Sequence, residues 1–494
     1  MPTIDEWCPT GVEGLDHILG GGLPCGCVYL VQGDPGSGKT TLALQFLFEG
    51  LRRGESALYV TLSETRAELD RVARSHGWTL DDIALLELAA IEALLTPDAQ
   101  TTVFHPSEME LNSVAQLVLD EARRIRPARV VFDSLSEFRL MADTQLRYRR
   151  QLLHLKQAFS ALGSTVLLLD DKMDGARWGA DPHILSLTHG VIEMEQLAPD
   201  YGRARRRVRV QKMRGVAFRE GYHDYSIETG GLRTYPRLAA TSHPVPFTRE
   251  GVSSGLPELD ALLGGGLDRG TTTLILGQAG TGKSTIALQF LTRLAARGEA
   301  GHLFAFDETR SIVLARADAL GMQLSRHVDA GTIHLQQVDP AELSPGEFAR
   351  RIVGAVEAGC KVVVIDSLNG YLNAMPGETY LSNQLHELST YLNQQGVVTI
   401  FILAQHGLVA AAEAPVDLSY LADTVVSTRF FEASGRVRKA LSVIKRRSGP
   451  HETTIRELAL VGDEGLRIGA PLTEFQGVLT GMPAFRGDVT QMLD

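Results

Sequence analysis

Short apolar runs alternate along most of the chain with longer segments that carry apolar residues at helical spacing. A short apolar run bounded by turn residues is typical of a buried strand, whereas apolar residues at every third or fourth position indicate a helix with one buried face. Their alternation predicts a mainly parallel β-sheet covered by helices on both faces. The clearest predicted strands are residues 28–32, 58–62 and 128–132, and then residues 272–276, 303–306 and 362–365.

The second set of predicted strands repeats the first. Residues 15–47 align without a gap with residues 259–291, and both segments contain GGGL, an apolar strand, a glycine loop and ALQFL. One register kept through strand, loop and helix predicts a duplicated domain. Two prolines and several polar residues interrupt the periodic pattern at 241–250, which places the domain junction there.

Each copy carries a GxxxxGK[ST] segment between a predicted strand and a predicted helix. Glycines let the backbone N–H groups of such a loop surround a polyphosphate, and the lysine reaches the terminal phosphates. We therefore predict an α/β fold with two tandem RecA-like P-loop domains, residues 1–243 and 244–494. The predicted ATP-binding residues are Gly33, Gly36, Ser37, Gly38, Lys39 and Thr40, and Gly277, Gly280, Thr281, Gly282, Lys283 and Ser284.

Two aspartates end apolar strands on the side where the loops should converge. Asp133 follows ARVVF, and Asp366 follows KVVVI. A carboxylate in this position holds Mg²⁺ through water, together with the hydroxyl groups of Thr40 and Ser284. An aspartate at a strand end also caps helices, which is the structural alternative. Beside two P-loops, the sequence favours a Mg²⁺ site in each domain.

A further carboxylate follows the neighbouring strand of each copy. Glu64 lies in VTLSET, and Glu308 lies in AFDETR. A carboxylate here could orient or deprotonate the water that attacks the terminal phosphate, so we predict a catalytic role for both. The alternative is a first-turn carboxylate that is favoured by the helix dipole.

Arginines are concentrated in one predicted strand. The run leads to KMRG at 212–215, and the second copy ends similarly in KRRSG at 445–449. Three interpretations remain open from the residues alone: a solvated strand face, a nucleic-acid patch, or cations that reach the phosphates of a neighbouring subunit. The run consists of Arg203, Arg205, Arg206, Arg207 and Arg209.

The net charge of the chain bears on whether it binds nucleic acid. The 494 residues carry a formal net charge of −11, which repels nucleic-acid phosphates on average and does not favour nucleic acid as a partner. The four cysteines form neither a CxxC pair nor a disulfide framework, so we expect reduced thiols. We find no leader pattern and no membrane span in the sequence, and we expect a cytoplasmic protein.

Together these motifs resemble the KaiC family of ATPases, which includes circadian clock proteins, over almost the whole chain. The resemblance rests on the repeated GxxxLDxxLGGG openings, both P-loops, VVFDSLS and VVVIDSL, QKMRG, and the closing FQGVLTGMPAFRG. It implies a homohexamer of two stacked rings with Mg²⁺-ATP held between adjacent subunits. The first ring would mainly hydrolyse ATP, and the second would also be capable of Ser/Thr autophosphorylation.

The resemblance also assigns roles to basic residues. Lys212 and Arg214 match the family's pair that reaches a neighbour's nucleotide, and Lys445 and Arg447 match the pair of the second ring. It therefore favours the third interpretation of the basic run.

Two segments depart from the family pattern. The paired glutamates of the family become Ser63-Glu64 and Asp307-Glu308, so Asp307 is a third catalytic candidate. The phosphoacceptor pair, Ser-Thr in the family, falls on 419–420, where the residues are Ser and Tyr. Ser419 is therefore the candidate phosphoacceptor, and a place in a polar turn is its structural alternative.

The sequence thus predicts a hexameric Mg²⁺-dependent ATPase that acts in signalling with an unidentified partner protein. A DNA-dependent recombinase or helicase is one alternative, because RecA-like domains serve several functions. A scaffold in which nucleotide occupancy exposes a partner surface is another.

Overall fold

The computed structural model describes residues 7–87, 106–142, 144–172, 182–198, 202–238, 245–339, 341–373, 381–405, 419–433, 435–479 and 484–485. Contacts divide the chain into two compact units, Met1–Arg237 and Leu238–Asp494, which we call the first and second domains. The predicted junction at 241–250 and the closing motif at 475–487 lie partly outside the described residues.

The first domain alternates strands and helices in its amino-terminal part and ends in strands. Its strands are β1 (Trp7–Cys8), β2 (Leu23–Pro24), β3 (Val28–Gly33), β4 (Ala57–Thr61), β5 (Ala84–Glu87), β6 (Arg129–Asp133), β7 (Thr165–Asp171), β8 (Gly190–Leu197), β9 (Arg205–Met213), β10 (His223–Glu228) and β11 (Gly231–Tyr235). Its helices are α1 (Leu15–Ile18), α2 (Lys39–Arg52), α3 (Arg66–Ser75), α4 (Pro106–Ile125), α5 (Leu135–Leu140), α6 (Gln145–Leu162) and α7 (Pro182–Leu187).

The second domain repeats this order. Its strands are β12 (Gly251–Val252), β13 (Leu267–Asp268), β14 (Thr272–Gly277), β15 (Gly301–Ala305), β16 (Ile333–Gln337), β17 (Val362–Asp366), β18 (Val398–Ala404), β19 (Thr424–Ala433), β20 (Arg436–Arg446), β21 (Arg456–Val461), β22 (Gly465–Pro471), β23 (Phe475–Gln476) and β24 (Ala484–Phe485). Its helices are α8 (Pro257–Leu262), α9 (Lys283–Ala296), α10 (Arg310–Ala319), α11 (Leu324–Asp329), α12 (Pro345–Glu357), α13 (Leu368–Asn373) and α14 (Leu381–Gln394), with 3₁₀ turns at Ser419–Leu421 and Gly462–Glu464.

Within the described residues, each domain has a nine-stranded sheet, and the two sheets have the same topology. The strand order is β5-β4-β6-β7-β3-β8-β9-β10-β11 in the first domain and β16-β15-β17-β18-β14-β19-β20-β21-β22 in the second. In each, the strands up to β8 or β19 are parallel, and the last three run antiparallel to their neighbours. This confirms the predicted α/β fold of two tandem RecA-like domains.

Alternating burial on the two faces of the sheet explains the continuous apolar runs. In β3, Tyr29 and Val31 belong to the core that includes α2, whereas Val28 and Leu30 belong to the core that includes α4 and α6. A strand that is covered on both faces needs an apolar side chain at nearly every position. The predicted strands accordingly match the observed ones to within two residues at either end.

The parallel register fixes where the loops meet. Gly33, at the end of β3, lies level with Asp171 of β7, and Thr61, at the end of β4, lies level with Asp133 of β6. The second domain has the same register. Because the carboxyl ends of parallel strands share one edge, the loops that follow them form a single site in each domain.

Candidate functional site

The first glycine-rich loop connects β3 to α2. Gly36 and Gly38 have φ values of 81° and 92°, a left-handed conformation that favours glycine. A Cβ atom at Gly38 would also lie 2.5 Å from the Cδ1 atom of Ile227. The loop lysine is folded back over its own backbone, with Lys39 Nζ donating to the carbonyl oxygens of Gly33 at 2.8 Å and Asp34 at 3.1 Å.

Lys39 also forms an ion pair that the sequence analysis missed. Its Nζ atom lies 2.8 Å from Oδ1 of Asp171, and 11% of the lysine side chain and 45% of the aspartate side chain are exposed. The parallel register of β3 and β7 places Asp171 beside the loop. The only sequence signal was a carboxylate at the end of a buried strand, the same signal that identified Asp133.

Asp133 is a buried carboxylate beside the same loop. Burial raises its pKa, while the hydroxyl of Tyr59, which donates to Oδ2 at 2.6 Å, and the charge of Lys39 oppose this effect. Asp133 forms no ion pair among the described residues, and a buried carboxylate of this kind is a suitable ligand for a divalent cation. This fits the predicted Mg²⁺ site.

Glu64 faces this carboxylate from the end of β4. The N–H of Leu62 donates to the carbonyl oxygen of Asp133 at 2.6 Å, which holds the two chain segments together beyond the strands. Thr61 Oγ1 accepts from the N–H of Glu64 at 2.9 Å and donates to its carbonyl oxygen at 2.7 Å. Burial and, to a smaller extent, the charge of Asp133 raise the pKa of Glu64 to about 7. Glu64 is therefore able to exchange a proton near neutral pH.

The second glycine loop has the same conformation, and its lysine again donates to the loop backbone. Gly280 and Gly282 have φ values of 82° and 101°, and Lys283 Nζ donates to the carbonyl oxygen of Gln278 at 2.8 Å. Among the described residues, no carboxylate forms an ion pair with Lys283, because Ala404 lies level with Gly277 where Asp171 lies level with Gly33. Burial lowers the pKa of Lys283, and the charges of Asp366 and Asp307 partly offset this.

Three carboxylates lie around the second loop. Burial raises the pKa of Asp366, which a hydrogen bond with Ser284 opposes. Asp307 accepts a hydrogen bond from Ser367 Oγ. Glu308 forms an ion pair with the guanidinium group of Arg316 in α10. Glu64 forms no ion pair among the described residues.

These groups surround a cleft of about 290 Å³ in the second domain. It is lined by residues of the glycine loop, by the three carboxylates and by apolar residues of the sheet and helices. Its charged and hydroxyl-bearing lining residues are Lys283, Ser284, Thr285, Asp307, Glu308, Arg316, Asp366 and Ser367. Left-handed glycines, a buried lysine and a half-buried carboxylate, Asp366, together fit Mg²⁺ and a polyphosphate.

The predicted inter-subunit cations lie away from these sites, at the amino-terminal ends of the parallel strands. Lys212 Nζ donates to the carbonyl oxygens of Leu185 at 2.5 Å and Thr188 at 2.7 Å, and Arg214 donates to that of Ser186 at 2.9 Å. These three carbonyls precede β8. The start of β8 at Gly190 lies four residues along the strand from Met194, which is level with Gly33 of the glycine loop. At about 3.3 Å per residue, this separation is about 13 Å.

The second domain reproduces this arrangement around the candidate phosphoacceptor. Lys445 Nζ donates to the carbonyl oxygens of Ser419 at 3.0 Å and Ala422 at 2.9 Å. Arg447 donates to the carbonyl oxygen of Tyr420 at 3.2 Å. The carbonyl that corresponds to Ser419 in the first domain belongs to Leu185, which has no hydroxyl group.

Part of the basic run is neutralised within the first domain. Arg207 pairs with Glu195 at 2.8 Å, Arg209 pairs with Glu193 at 2.6 Å, and both guanidinium groups lie over the ring of Tyr222. These two arginines therefore belong to a salt-bridged strand face, the first interpretation of the run.

The model contains, in its described part, no helix that combines the length and apolar character needed to cross a membrane.

A family model described as the KaiC ATPase matches residues 8–239 and again residues 252–473. The circadian clock oscillator protein KaiC of Parasynechococcus marenigrum is 26% identical to this chain over 96% of the chain and 92% of its own length. That of Parathermosynechococcus lividus is 27% identical over 96% and 87%. The circadian clock protein KaiC3 of a Synechocystis strain is 26% identical over 97% and 95%.

Asp171→Ala should tighten ATP binding to the first domain, because nucleotide phosphates compete with this carboxylate for Lys39. Since Asp171 is nearly half exposed, we expect a gain of about two- to fivefold in affinity. The measurement is titration of a Lys283→Ala background with a non-hydrolysable ATP analogue. Asp170→Ala is the matched control, because Asp170 binds Ser136 and Arg139 rather than Lys39. An unchanged or weaker affinity in Asp171→Ala would contradict the competition.

Proposed function

Because this chain belongs to the KaiC family of ATPases, we propose that it is a hexameric Mg²⁺-dependent ATPase with two nucleotide sites per chain that acts in signalling. The observation that carries this proposal is the double site: a left-handed glycine loop, a loop lysine and two carboxylates at the same sheet edge in both domains. The circadian roles in the names of its relatives motivate signalling through a partner protein that is still to be identified.

In the first domain, we assign the phosphates to the glycine loop and Lys39, and Mg²⁺ to Thr40 and Asp133. In the second domain, Gly277, Gly280, Thr281 and Gly282 of the loop would act with Lys283, Ser284 and Asp366 in the same roles. Mg²⁺ bound at such a site supplies positive charge that offsets the charge on the transferring phosphoryl group. The lysine and the loop amides would contribute to the same stabilisation.

Glu64 and Glu308 are the groups that we assign to the attacking water. A carboxylate that ends the strand next to the Mg²⁺-binding aspartate can accept a hydrogen bond from that water and take its proton. Glu64 suits this role because burial gives it a proton affinity matched to neutral pH. Asp307 lies beside Glu308 and is held by Ser367, so we assign it to the acceptor hydroxyl in any transfer to protein.

Lys39→Ala and Lys283→Ala should each lower the bound nucleotide from two to about one per chain, because each lysine neutralises phosphate charge at one site. Equilibrium dialysis with labelled ATP measures the stoichiometry, and phosphate release measures the turnover of the remaining site. Lys361→Ala, at an exposed lysine at the other end of β17 from Asp366, is the control. If the double variant still binds two nucleotides, neither glycine loop is a nucleotide site.

ATP hydrolysis by the first domain should increase as the pH is raised through neutrality. Glu64 has a raised pKa of about 7, so it is protonated below that pH and becomes a proton acceptor only above it. Mg²⁺ at Asp133 would cancel part of the repulsion between the carboxylates and move the midpoint lower. The rate is measured in the Lys283→Ala background, and Glu64→Gln should lower it about 100-fold or more and remove the pH dependence. A flat profile in the background variant would reject Glu64 as the base.

The distance between each basic pair and the glycine loop of its own domain supports assembly between subunits. In each domain the basic pair lies at the other end of the parallel strands from the glycine loop. The pairs are Lys212 with Arg214 and Lys445 with Arg447. They are therefore better placed to reach a nucleotide of an adjacent chain, where such cations accelerate phosphoryl transfer. A closed ring gives every chain the same neighbour, which agrees with the hexamer implied by the family.

The same geometry supports transfer of phosphate to Ser419 between chains. Ser419 lies before β19, at the edge away from Lys283 and Asp366, so its own nucleotide is not in line with its hydroxyl. The acceptor would instead meet the nucleotide of a neighbour. Tyr420 is half exposed, but its phenolic oxygen lies farther from the backbone than a serine hydroxyl does.

Mixed assemblies should show this transfer directly. Lys283→Ala chains lack the donor site and Ser419→Ala chains lack the acceptor, so neither should become phosphorylated alone. When the two are dissociated, mixed and reassembled in Mg²⁺-ATP, we expect label at Ser419 of the Lys283→Ala chains. Native mass spectrometry should show six chains, and phosphopeptide mapping locates the label. Tyr420→Phe is the control and should retain the label. Label in wild-type assemblies but none in the mixed assemblies would reject transfer between chains.

A further inference from the structure

The two domains differ in one charged residue that reaches their nucleotide sites. In the second domain, Arg316 of α10 lines the cleft beside the glycine loop and forms an ion pair with Glu308 through Nη1. Burial raises the pKa of Asp366, and the positive charge of Arg316 is close enough to oppose part of this effect. Arg316 therefore lies among the groups to which we assign Mg²⁺ binding and catalysis.

The first domain has no such cation at the equivalent position. Thr65 and Thr309 directly follow the catalytic candidates Glu64 and Glu308, and each directly precedes a helix of ten residues, α3 or α10. Counted from these threonines, Arg316 corresponds to Val72. Val72 packs against the apolar core of the first domain, and Glu64 Oε2 has no hydrogen-bond partner among the described residues.

We propose that Arg316 is a positioning residue that restrains Glu308 and so slows hydrolysis at the second site. The inference rests on the proposed ATPase function and deepens it. The ion pair occupies one carboxylate oxygen and fixes the orientation of the carboxylate toward α10. A carboxylate held in this way is less free to turn toward the water that it would have to orient. Bound ATP would consequently remain longer at the second site than the first.

A second role for this arginine predicts the opposite result. Nε and Nη2 of Arg316 are buried and have no hydrogen-bond partner among the described residues. Donors of this kind could bind a phosphate oxygen and stabilise the transition state, as an arginine supplied by a neighbour does. Removal of the guanidinium would then slow hydrolysis, whereas removal of a restraint accelerates it. The sign of the change distinguishes the two roles.

The test compares Arg316→Val with the unaltered residue in a Lys39→Ala background, in which only the second site binds ATP. The background must first show ATP hydrolysis that Lys283→Ala abolishes; if it does not, the proposed function fails rather than this inference. We expect Arg316→Val to raise kcat about three- to tenfold with KM changed less than about twofold, since the pair is about one-third exposed and its effect is screened.

Two further variants make the result specific. Arg316→Lys keeps the positive charge and should retain most of the restraint, and Glu308→Gln should abolish the gain from Arg316→Val. An unchanged or lower kcat in Arg316→Val, or a gain that persists in Glu308→Gln, would overturn the proposal. If circular dichroism shows that Arg316→Val does not fold, Arg316→Gln replaces it, because glutamine keeps the length of the side chain without its charge.

The reciprocal change tests the same idea in the other domain. Val72→Arg, in a Lys283→Ala background, places a guanidinium at the equivalent position of the half-buried residue in α3. We expect kcat for the first site to fall about three- to tenfold, with recovery in Val72→Gln. A folded Val72→Arg chain that hydrolyses ATP at the original rate would also overturn the inference.

Discussion

The in-register pairing of parallel strands is the constraint on which both candidate sites depend. Gly33 and Asp171 face each other across β3 and β7, and Thr61 and Asp133 do so across β4 and β6. Every reactive group of the first domain follows one of these strand ends. Backbone hydrogen bonds therefore fix their spacing, and a shift of one residue in any pair would turn its side chains to the other face of the sheet. The cores on both faces oppose such a shift.

Much of this arrangement could be predicted from the sequence because it depends on local patterns. Continuous apolar runs gave the strands, and the glycine spacing gave the loops that follow β3 and β14. Asp133, Asp366, Glu64 and Glu308 were recognised because each follows a predicted strand within a few residues. In parallel sheets that position alone brings side chains to one edge.

The pairing of charges could not be predicted, because it depends on which side chains meet across the sheet. Asp171 was passed over, although it is the residue that binds Lys39. Arg316 lies eight positions after Glu308 in α10, and the sequence of that helix does not distinguish it from a surface arginine. The folded structure places its side chain in the lining of the cleft. The result is two sites with the same framework and opposite charge pairing. In the first domain the loop lysine, Lys39, forms the ion pair, and in the second domain the carboxylate that we propose as the proton acceptor, Glu308, forms it.

If Lys445 contacts the phosphate of a neighbouring chain as we propose, this lysine, which anchors the segment before β19, would connect two processes that are otherwise separate. Lys445 Nζ donates to the carbonyl oxygens of Ser419 and Ala422, at the two ends of this segment. A neighbour's phosphate that draws this ammonium group toward itself would loosen the segment that carries Ser419. By thermodynamic linkage, any modification that reorders the segment must change the affinity for that phosphate by the same factor. Lys445 would then couple the order of one turn, Ser419–Leu421, to the strength of the contact between neighbouring chains.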